Sequence, residues 1–349
     1  MVLNGVKQKV VLAVQKRAPS VIPMLDDARV SLLDLKQRFH KRVLRTKPRS
    51  MVSMRRLTFE VTNICNAKCT FCAYRLSTDR KEIMPFHVFT EALDQFVSLG
   101  GQEIVLTPVV GDPLIDPNLF EKISYAQSKG VTNISLYTNG IILFANDNYK
   151  KLVDAQVTRL DVSIGEMHKQ NYSEVYGVPE ALYDKMKQGV KALLEYNKQQ
   201  GEKIRIVIGF RPKSKPKEVL SSQDYIEVIK PYISKRVSVN VMQVFDNFGG
   251  MITPADLKGA MHMKKEYPKK HYPCIRLYNA ISILPKGDVR LCGCRLKTSQ
   301  YDDLVIGNVF EQHLGDIYNG ERAQKLRMDF GNGIYPAVCK DCSFYHPNV

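Results

Sequence analysis

The fold of this chain is decided by residues 57–72, LTFEVTNICNAKCTFC, in which a β-forming apolar run leads into three closely spaced cysteines. Cys65, Cys69 and Cys72 have the spacing Cys-x3-Cys-x2-Cys, with small or polar residues between the first two. Thiolates at such short spacings on a loop bind iron-sulfur clusters, and three of them leave one iron of a four-iron cluster without a protein ligand. The stretch therefore predicts a cluster with one iron open to another molecule.

A zinc knuckle, a disulfide and buried thiols are the alternatives for these three cysteines. Zinc sites usually show cysteine or histidine pairs within about twenty residues of each other, and no histidine falls between Lys41 and Phe86. Disulfides belong mainly to secreted chains, but residues 1–10 lack the apolar core of a signal peptide. We therefore expect a cytoplasmic protein whose clustered cysteines bind metal.

The cysteine spacing, with aromatic Phe71 directly before Cys72, resembles the signature of the radical S-adenosylmethionine (radical SAM) enzymes. The resemblance implies a 4Fe-4S cluster whose open iron binds the amino and carboxylate groups of S-adenosylmethionine. One electron then releases a 5'-deoxyadenosyl radical. The resemblance also implies a flavodoxin or ferredoxin as the reductant, and Phe71 as part of the cosubstrate site.

Charge and composition divide the chain unevenly. The 349 residues carry a formal net charge of +16, and residues 1–56 hold 14 Lys and Arg against three Asp, which gives +11. Apolar residues make up 44% of the chain, enough for the core of a barrel-sized domain and a smaller one. We predict a basic helical extension over residues 1–55, a barrel over 56–247 and a cluster-binding domain over 248–349.

The basic extension is predicted to form two short amphipathic helices separated by Pro19 and Pro23. The apolar positions are Val6, Val10 and Val14 in the first helix, and Leu32, Leu35, Phe39 and Val43 in the second. The opposite basic face carries Lys36, Arg38, Lys41, Arg42 and Arg45. We expect apolar faces packed on the barrel with solvated basic faces, or else helices bound to an anionic membrane surface or an acidic partner. Nucleic acid is not expected, because aromatic residues do not alternate with the charges.

From Arg56 to about Asn247, β-rich runs alternate with helical segments, which indicates an α/β fold with a parallel sheet. The predicted strands are 57–61, 103–109, 133–137, 159–164, 204–210 and 237–244. The predicted helices begin near Pro85, Pro117, Asn148, Glu180 and Gln223. Six such units resemble the partial (β/α)6 TIM-like barrel of radical SAM enzymes, in which the chemistry lies at the C-terminal ends of the strands.

A Gly-Asp-Pro turn after the second predicted strand resembles part of the family's cosubstrate site. Gly111, Asp112 and Pro113 are similar to the Gly-Gly-Glu-Pro motif, which receives the methionine ammonium group. The sequence departs from that motif twice, because Val110 stands where the first Gly would be and Asp112 is one methylene shorter than Glu. An ordinary Gly-Asp-Pro turn is the alternative interpretation.

Three later strand ends also carry polar residues. Thr138 and Asn139 follow the third predicted strand and Ser163 closes the fourth, similar to the family's contacts to the ribose and the methionine carboxylate. Thr-Asn-Gly is also a common turn sequence. Arg211 follows the fifth strand and could pair with a carboxylate or act in catalysis, although a surface arginine is the alternative.

A second set of four cysteines lies in the C-terminal third. Cys274 and Cys292 flank a predicted β-hairpin with its turn at 285–288, and Cys339 and Cys342 form a Cys-x2-Cys pair. Four thiolates leave no iron open. The pattern, with residues 306–309 and a helix near 314–328, resembles the SPASM and twitch domains, which implies one auxiliary 4Fe-4S cluster. Tetrahedral zinc is the alternative for four cysteines.

Cys294 is the eighth cysteine and has no assigned partner. It is a structural spare, an alternative cluster ligand, or a hydrogen-atom donor to a substrate radical, and the last role would make the enzyme an epimerase. The general base is equally open between Arg211, Tyr137 and His168.

The resemblance implies an oxidoreductase or epimerase of the radical SAM family that acts on a small polar molecule. Twitch-domain enzymes suggest a sugar, cyclitol or nucleotide-linked substrate, and the basic charge favours an anionic one. A peptide-modifying maturase is the main alternative. A zinc-bound basic binding module without catalysis is a further one.

Overall fold

The computed structural model describes residues 13–44, 54–106, 110–259, 261–292 and 303–348, apart from residues 16 and 79. Its strands are β1 Arg56–Phe59, β2 Glu103–Val105, β3 Asn133–Thr138, β4 Arg159–Ile164, β5 Arg205–Phe210, β6 Val237–Val241, β7 Val244–Phe245, β8 His262–Met263, β9 Ile281–Ile283, β10 Asp288–Leu291 and β11 Val305–Asn308. Its main helices are α1 Val21–Arg42, α2 Phe86–Ser98, α3 Leu119–Ser128, α4 Asn148–Asp154, α5 Lys169–Tyr176, α6 Ala181–Gln199, α7 Pro216–Ser221, α8 Gln223–Val228, α9 Arg276–Asn279, α10 Leu314–Asn319 and α11 Glu321–Gly331.

Strands β1 to β6 pair in chain order and run parallel, so they form the predicted partial barrel. The helices between them cover the sheet with apolar residues at helical spacing. In α2, for example, Val88, Ala92 and Phe96 are buried. The predicted fold class is confirmed, and the arrangement brings the C-terminal ends of the strands to one rim.

The predicted elements differ from the observed ones mainly at their ends. Strand β4 has the predicted bounds, whereas β2 ends at Val105, and residues 107–109 of its predicted range lie outside the described residues. The predicted sixth strand is divided into β6 and β7. Helices α5 and α7 were not predicted, because short helices between βα units carry too few apolar repeats to be distinguished from loops.

The C-terminal hairpin continues the barrel sheet on the free edge of β1. Strand β9 pairs in parallel with β1, with Leu57 opposite Ile281, and β10 and β11 follow in antiparallel pairs. Gly287 forms the predicted turn with a positive φ of 88°. The predicted helix near 314–328 is instead two helices, α10 and α11, separated at Gly320. The auxiliary cysteines are therefore attached to the same sheet as the barrel.

The extension departs from its prediction in two ways. Helix α1 contains Pro23 in its first turn, where a missing backbone N–H costs little, so Pro23 does not separate two helices. The predicted apolar face of Leu32, Leu35, Phe39 and Val43 is exposed, so its packing against the barrel was wrongly predicted. Val6 and Val10, and Arg45 on the predicted basic face, lie outside the described residues.

Polar contacts explain why α1 packs through its other face. Gln37 Oε1 accepts a 3.0 Å hydrogen bond from the Tyr345 hydroxyl, and Lys41 Nζ donates one of 3.0 Å to the His271 carbonyl. Hydropathy patterns assume that the apolar face is the one that packs, and here hydrogen bonds to the C-terminal segment select the polar face. No helix of the described residues is both long enough and apolar enough to cross a membrane.

Candidate functional site

The loop with Cys65, Cys69 and Cys72 is held by the C-terminal end of α5. The Lys68 amide donates to the Tyr176 carbonyl at 2.9 Å, and the Thr70 amide donates to the Val175 carbonyl at 2.8 Å. Gly177 has a φ of 59°, and a Cβ there would lie 2.7 Å from the Lys68 carbonyl oxygen. A glycine at this position thus allows the loop and the helix to approach each other closely.

Neighbouring side chains also fix the first and last cysteines of the loop. The Tyr74 hydroxyl accepts a hydrogen bond of 3.1 Å from the Cys65 amide, and the Tyr74 amide donates to Cys72 Sγ at 3.5 Å. Asn139 Nδ2 lies 3.7 Å from Cys65 Sγ and donates at 2.6 Å to Asn66 Oδ1. The side chain of Asn139, a predicted site residue, therefore contacts the cysteine loop directly.

The Gly-Asp-Pro turn docks on the start of the cysteine loop. The Asp112 amide donates to the Ile64 carbonyl at 2.8 Å. Gly111 has a φ of 104°, and a Cβ there would lie 2.7 Å from the Thr62 carbonyl oxygen. Only glycine combines this backbone conformation with so close an approach, so the turn needs Gly111 to lie beside the cysteines.

The Asp112 carboxylate is buried and joins the ends of β2 and β3. It accepts hydrogen bonds from Thr138 Oγ1 at 2.8 and 3.0 Å, from the Asn139 amide at 2.8 Å and from the Leu114 amide at 3.1 Å. Burial raises the pKa of Asp112, whereas these donors lower it. Both oxygens of the carboxylate therefore accept hydrogen bonds from the protein. The sequence pattern did not indicate that Asp112 would link the two strand ends in this way.

Ser163 and Arg211, at the ends of β4 and β5, lie together on the other side of the cysteine loop. Arg211 Nη1 donates to Ser163 Oγ, and the Tyr176 hydroxyl donates to the Ser163 carbonyl at 2.6 Å. The Arg211 guanidinium lies over the rings of Phe71, at 5.6 Å, and Phe245, at 5.9 Å. The predicted residues Phe71, Ser163 and Arg211 therefore form one cluster, which the sequence could not show.

Burial dominates the electrostatics of the three thiols. Burial, together with the nearby Asp112 carboxylate, raises the pKa of Cys65 to about 12. Burial also raises the pKa values of Cys69 and Cys72, and the positive charge of Arg211 opposes this rise for both. A bound iron cluster needs thiolates, and its positive irons would replace the protons held here. Three buried thiols beside a cation fit such a cluster.

The four auxiliary cysteines line a single cavity near the C-terminal end of the chain. Cys274, Cys292, Cys339 and Cys342 face it together with Leu277 and Phe330. Cys274 forms an isolated β-bridge with Pro347, which draws the chain end over the cavity. Cys292 directly follows β10 and has a φ of 58°, an uncommon backbone conformation outside glycine.

Cationic side chains surround the auxiliary cysteines. Arg290 is buried, and its Nη1 donates to the Cys292 carbonyl at 2.6 Å. Its positive charge opposes the rise in the pKa of Cys339 that burial causes. Lys270 and Arg276 also line the cavity, and Lys270 Nζ donates to the Lys340 carbonyl. Positive charge stabilises an anionic thiolate-ligated cluster, so the cavity fits one.

The geometry of the described cysteines differs from that of a mononuclear site. Within the described residues, no group of three or more His, Cys, Asp or Glu side chains is arranged to hold a single metal ion. In a four-iron cluster each thiolate binds a different iron, so the sulfur atoms do not converge on one point. Among the described residues, no two cysteines are joined by a disulfide.

Three further residues were predicted as candidates, namely Cys294, Tyr137 and His168. Cys294 lies outside the described residues. Tyr137 and His168 are both exposed. Sequence reasoning also missed Tyr74, Tyr176, Arg290 and Lys270. Tyr74 lies two residues after Cys72 and Arg290 two before Cys292, so proximity to a cysteine could have indicated them, whereas Tyr176 meets the loop only through the fold.

Two family models match the chain. The Radical SAM superfamily matches residues 59–221, and an iron-sulfur cluster-binding domain, SPASM, matches residues 274–343. A protein of Metallosphaera sedula named "Probable GTP 3',8-cyclase" is 25% identical over 297 residues, which cover 80% of this chain and 91% of that protein. An "AdoMet-dependent heme synthase" of Oleidesulfovibrio alaskensis is 30% identical over 156 residues, 44% of this chain and 37% of that protein.

Two solved structures share the fold. BtrN in complex with AdoMet and 2-DOIA has a TM-score of 0.53 at 17% identity and covers 85% of this chain and 95% of its own. Streptococcus suis SuiB bound to the precursor peptide SuiA has a TM-score of 0.54 at 15% identity and covers 84% of this chain and 70% of its own. The chain thus belongs to the radical SAM superfamily and carries a C-terminal SPASM-type cluster-binding domain, with 4Fe-4S clusters and S-adenosylmethionine as its cofactors.

Proposed function

We propose that this radical SAM enzyme removes a hydrogen atom from a small, polar, anionic substrate and oxidises the resulting radical. The observation that carries the proposal is the pair of unlike cysteine sites, with three thiols on one loop of the barrel and four around one cavity that Lys270 and Arg276 also line. A fully ligated cluster has no position for a cosubstrate and is suited to accept an electron.

The barrel residues would bind the active-site cluster and its cosubstrate. Cys65, Cys69 and Cys72 would hold three irons, and the turn at 111–113 would place backbone groups beside the open one. When bound, the cluster and S-adenosylmethionine supply a 5'-deoxyadenosyl radical. Arg211, which donates a hydrogen bond to Ser163, would pair with the carboxylate of the cosubstrate and keep it oriented.

Thr138 and Asn139 would complete this site on the side of β3. Asp112 fixes the Thr138 hydroxyl and the Asn139 amide, so neither group has to be ordered when the cosubstrate binds. The Asn139 side chain would contact Cys65 from the same direction. We therefore assign Asp112 to positioning, in addition to the ammonium contact suggested by the family motif.

Oxidation would end at the auxiliary site. Cys274, Cys292, Cys339 and Cys342 would hold the auxiliary cluster. After loss of a hydrogen atom from a carbinol carbon, the substrate radical would become a ketone by losing one electron, which a cluster held by these cysteines would accept, and its hydroxyl proton, which a base would take. A flavodoxin or ferredoxin in the cytoplasm would then exchange electrons with the clusters. The buried Arg290 supports this direction of electron flow, because its charge favours the reduced cluster.

The substrate class is a sugar, cyclitol or nucleotide-linked molecule, and the net charge of +16, of which +11 lies in residues 1–56, favours a member with an anionic group. The relative named for GTP 3',8-cyclisation supports an anionic nucleotide group within that class. Epimerisation is the alternative outcome if Cys294 donates a hydrogen atom. A peptide-modifying maturase remains the alternative substrate class.

The test is an anaerobic assay in deuterated water with a panel of nucleotide sugars, free cyclitols and a control peptide. Dehydrogenation predicts a product lighter by two hydrogen atoms and one 5'-deoxyadenosine per product. Epimerisation predicts a product that gains one solvent deuterium, and this gain is expected to disappear in Cys294→Ala. Turnover of the peptide alone would contradict the proposed substrate class.

A further inference from the structure

Helix α1 presents its apolar side to the surroundings and its polar side to the protein. Val30, Asp34 and Gln37 are buried against the rest of the chain. Gln37 accepts a hydrogen bond from the Tyr345 hydroxyl, and Asp34 pairs with Arg38 at 2.5 Å. An amphipathic helix of a globular protein normally buries its apolar side. The exposed apolar side of α1 therefore indicates a binding partner outside the chain.

The exposed apolar stripe of α1 consists of residues at helical spacing along one face. Its members are Leu25, Leu32, Leu35, Phe39 and, at the C-terminal cap, Val43. They are 54%, 67%, 64%, 51% and 61% exposed, respectively. Apolar side chains scattered singly over a surface are ordinary, but a continuous stripe along a helix marks an interaction site.

Exposed basic side chains border the stripe on both edges. On a helical projection, Arg29 and Lys36 follow one edge and Arg38 and Arg42 follow the other. Arg38 and Arg29 have intrachain partners, Asp34 and Asp26, at 2.5 and 3.7 Å. In the sequence, the first 56 residues hold 14 Lys and Arg against three Asp, so the segment that contains the stripe carries a formal charge of +11.

We propose that α1 docks in the plane of an anionic lipid surface. The stripe enters the boundary between headgroups and acyl chains, and the basic edges meet lipid phosphates and carboxylates. A second copy of this chain is a poor occupant, since it would bring one strongly basic extension against another. An anionic membrane surface offers an apolar layer for the stripe and negatively charged headgroups for the basic residues along its two edges.

The orientation of α1 makes docking compatible with the folded enzyme. The polar contacts of Gln37 with Tyr345 and of Lys41 with the His271 carbonyl leave the stripe clear of the protein. The helix would therefore bind without leaving its place on the C-terminal segment. The proposal concerns location, and it does not depend on the reaction proposed above.

The experiment measures flotation of the full chain with vesicles of phosphatidylcholine, with and without about one third phosphatidylserine. We expect binding to the anionic vesicles, and a loss of at least about tenfold in affinity when salt rises from roughly 0.1 to 0.5 M. The double variant Leu35→Glu/Phe39→Glu is expected to lose binding at least about tenfold. Met328→Glu, at an equally exposed apolar residue of α11, is the matched control and should bind as the unmodified chain does.

Several results would overturn the proposal. They are equal binding to neutral and anionic vesicles, unchanged binding of the double variant, and no binding of the unmodified chain to either kind of vesicle. Light scattering that shows a dimer, broken by the double variant, would assign the stripe to a second copy. Because all altered residues are exposed, unfolding temperature and S-adenosylmethionine cleavage should stay unchanged, and both serve as folding controls.

Discussion

The two cysteine sites of this chain are built in opposite ways. In the barrel, three thiols lie on one short loop, next to the buried carboxylate of Asp112 and the guanidinium groups of Arg211 and Arg75. In the auxiliary cavity, four thiols come from three separated segments and share their surroundings with Lys270, Arg276 and Arg290. In the function proposed above, three ligands would leave the barrel site open to a cosubstrate, whereas four ligands and the neighbouring cations would suit the auxiliary site to accept an electron.

The largest expected effect separates the two sites by cysteine substitution. Cys69→Ala should abolish reductive cleavage of S-adenosylmethionine, because the open cluster loses a ligand. Cys339→Ala should retain cleavage without substrate and lose substrate turnover. The measurement is 5'-deoxyadenosine formed under dithionite, with and without substrate. Normal cleavage by Cys69→Ala would contradict the assignment of the open cluster to the barrel site. Loss of uncoupled cleavage in a folded Cys339→Ala protein would contradict the separate roles of the two sites.

A second effect concerns the buried carboxylate of the barrel site. Asp112→Asn places an amide where Thr138 and the Asn139 backbone donate, so donors would face each other. We expect a loss of about 2 kcal/mol in the free energy of unfolding, typical of a buried polar group left without a partner. Binding of S-adenosylmethionine should weaken by about tenfold because the turn beside the cysteines loosens. Denaturant unfolding and equilibrium dialysis give the two values.

Asp27→Asn, at an exposed position of α1, is the control for this substitution. It should leave both the unfolding free energy and the affinity for S-adenosylmethionine unchanged. Full cosubstrate affinity in Asp112→Asn would mean that the carboxylate does not organise the site.

A third effect tests the cationic character of the auxiliary site. Arg290→Gln should lower the reduction potential of the auxiliary cluster by about 50–100 mV, because a buried positive charge favours the more negative, reduced state. Arg290→Lys keeps the charge and should recover most of the potential, which distinguishes charge from packing. Redox titration followed by electron paramagnetic resonance gives the value, with the exposed Arg322→Gln as control. An unchanged or higher potential in Arg290→Gln would contradict the account.

The smallest expected effect is a pH dependence of stability at the contact between Asp34 of α1 and His271. Burial lowers the pKa of His271, although the Asp34 carboxylate, 3.5 Å away, raises it. The unfolded chain therefore binds a proton more readily, and stability is full above the ordinary pKa of about 6.5 and falls at lower pH. One proton accounts for at most about 1.4 kcal/mol per pH unit. The loss of stability is tested by measuring the free energy of unfolding of the unmodified chain and of His271→Asn at about pH 7.5 and 5.5. An equal loss in both proteins would exclude His271 as the source.

The sequence predicted those features that depend on local pattern. The alternation of strands and helices, the hairpin turn at Gly287 and the two cysteine sets are all written in short stretches of chain. It could not show that β9 would pair with β1, because strand order is set by packing over more than 200 residues. Nor could it show that Tyr176 would hold the cysteine loop, because that contact exists only once α5 packs against it.

The orientation of helix α1 is the feature that the sequence predicted wrongly. Hydropathy alone predicts that Leu32, Leu35 and Phe39 face the protein, and the folded chain places them outward. The contacts that decide the orientation join Gln37 to Tyr345, which are 308 positions apart in the sequence. A local pattern therefore identified an amphipathic helix correctly and assigned its two faces to the wrong surroundings.

The measurement that tests the central claim most directly is iron and acid-labile sulfide per chain after anaerobic reconstitution, with resonance spectra of the reduced protein before and after adding S-adenosylmethionine. Two clusters in this chain would give about eight irons and two reduced cluster signals, of which the cosubstrate shifts only one. About four irons, or two signals that both respond to S-adenosylmethionine, would contradict an open barrel site beside a closed auxiliary one.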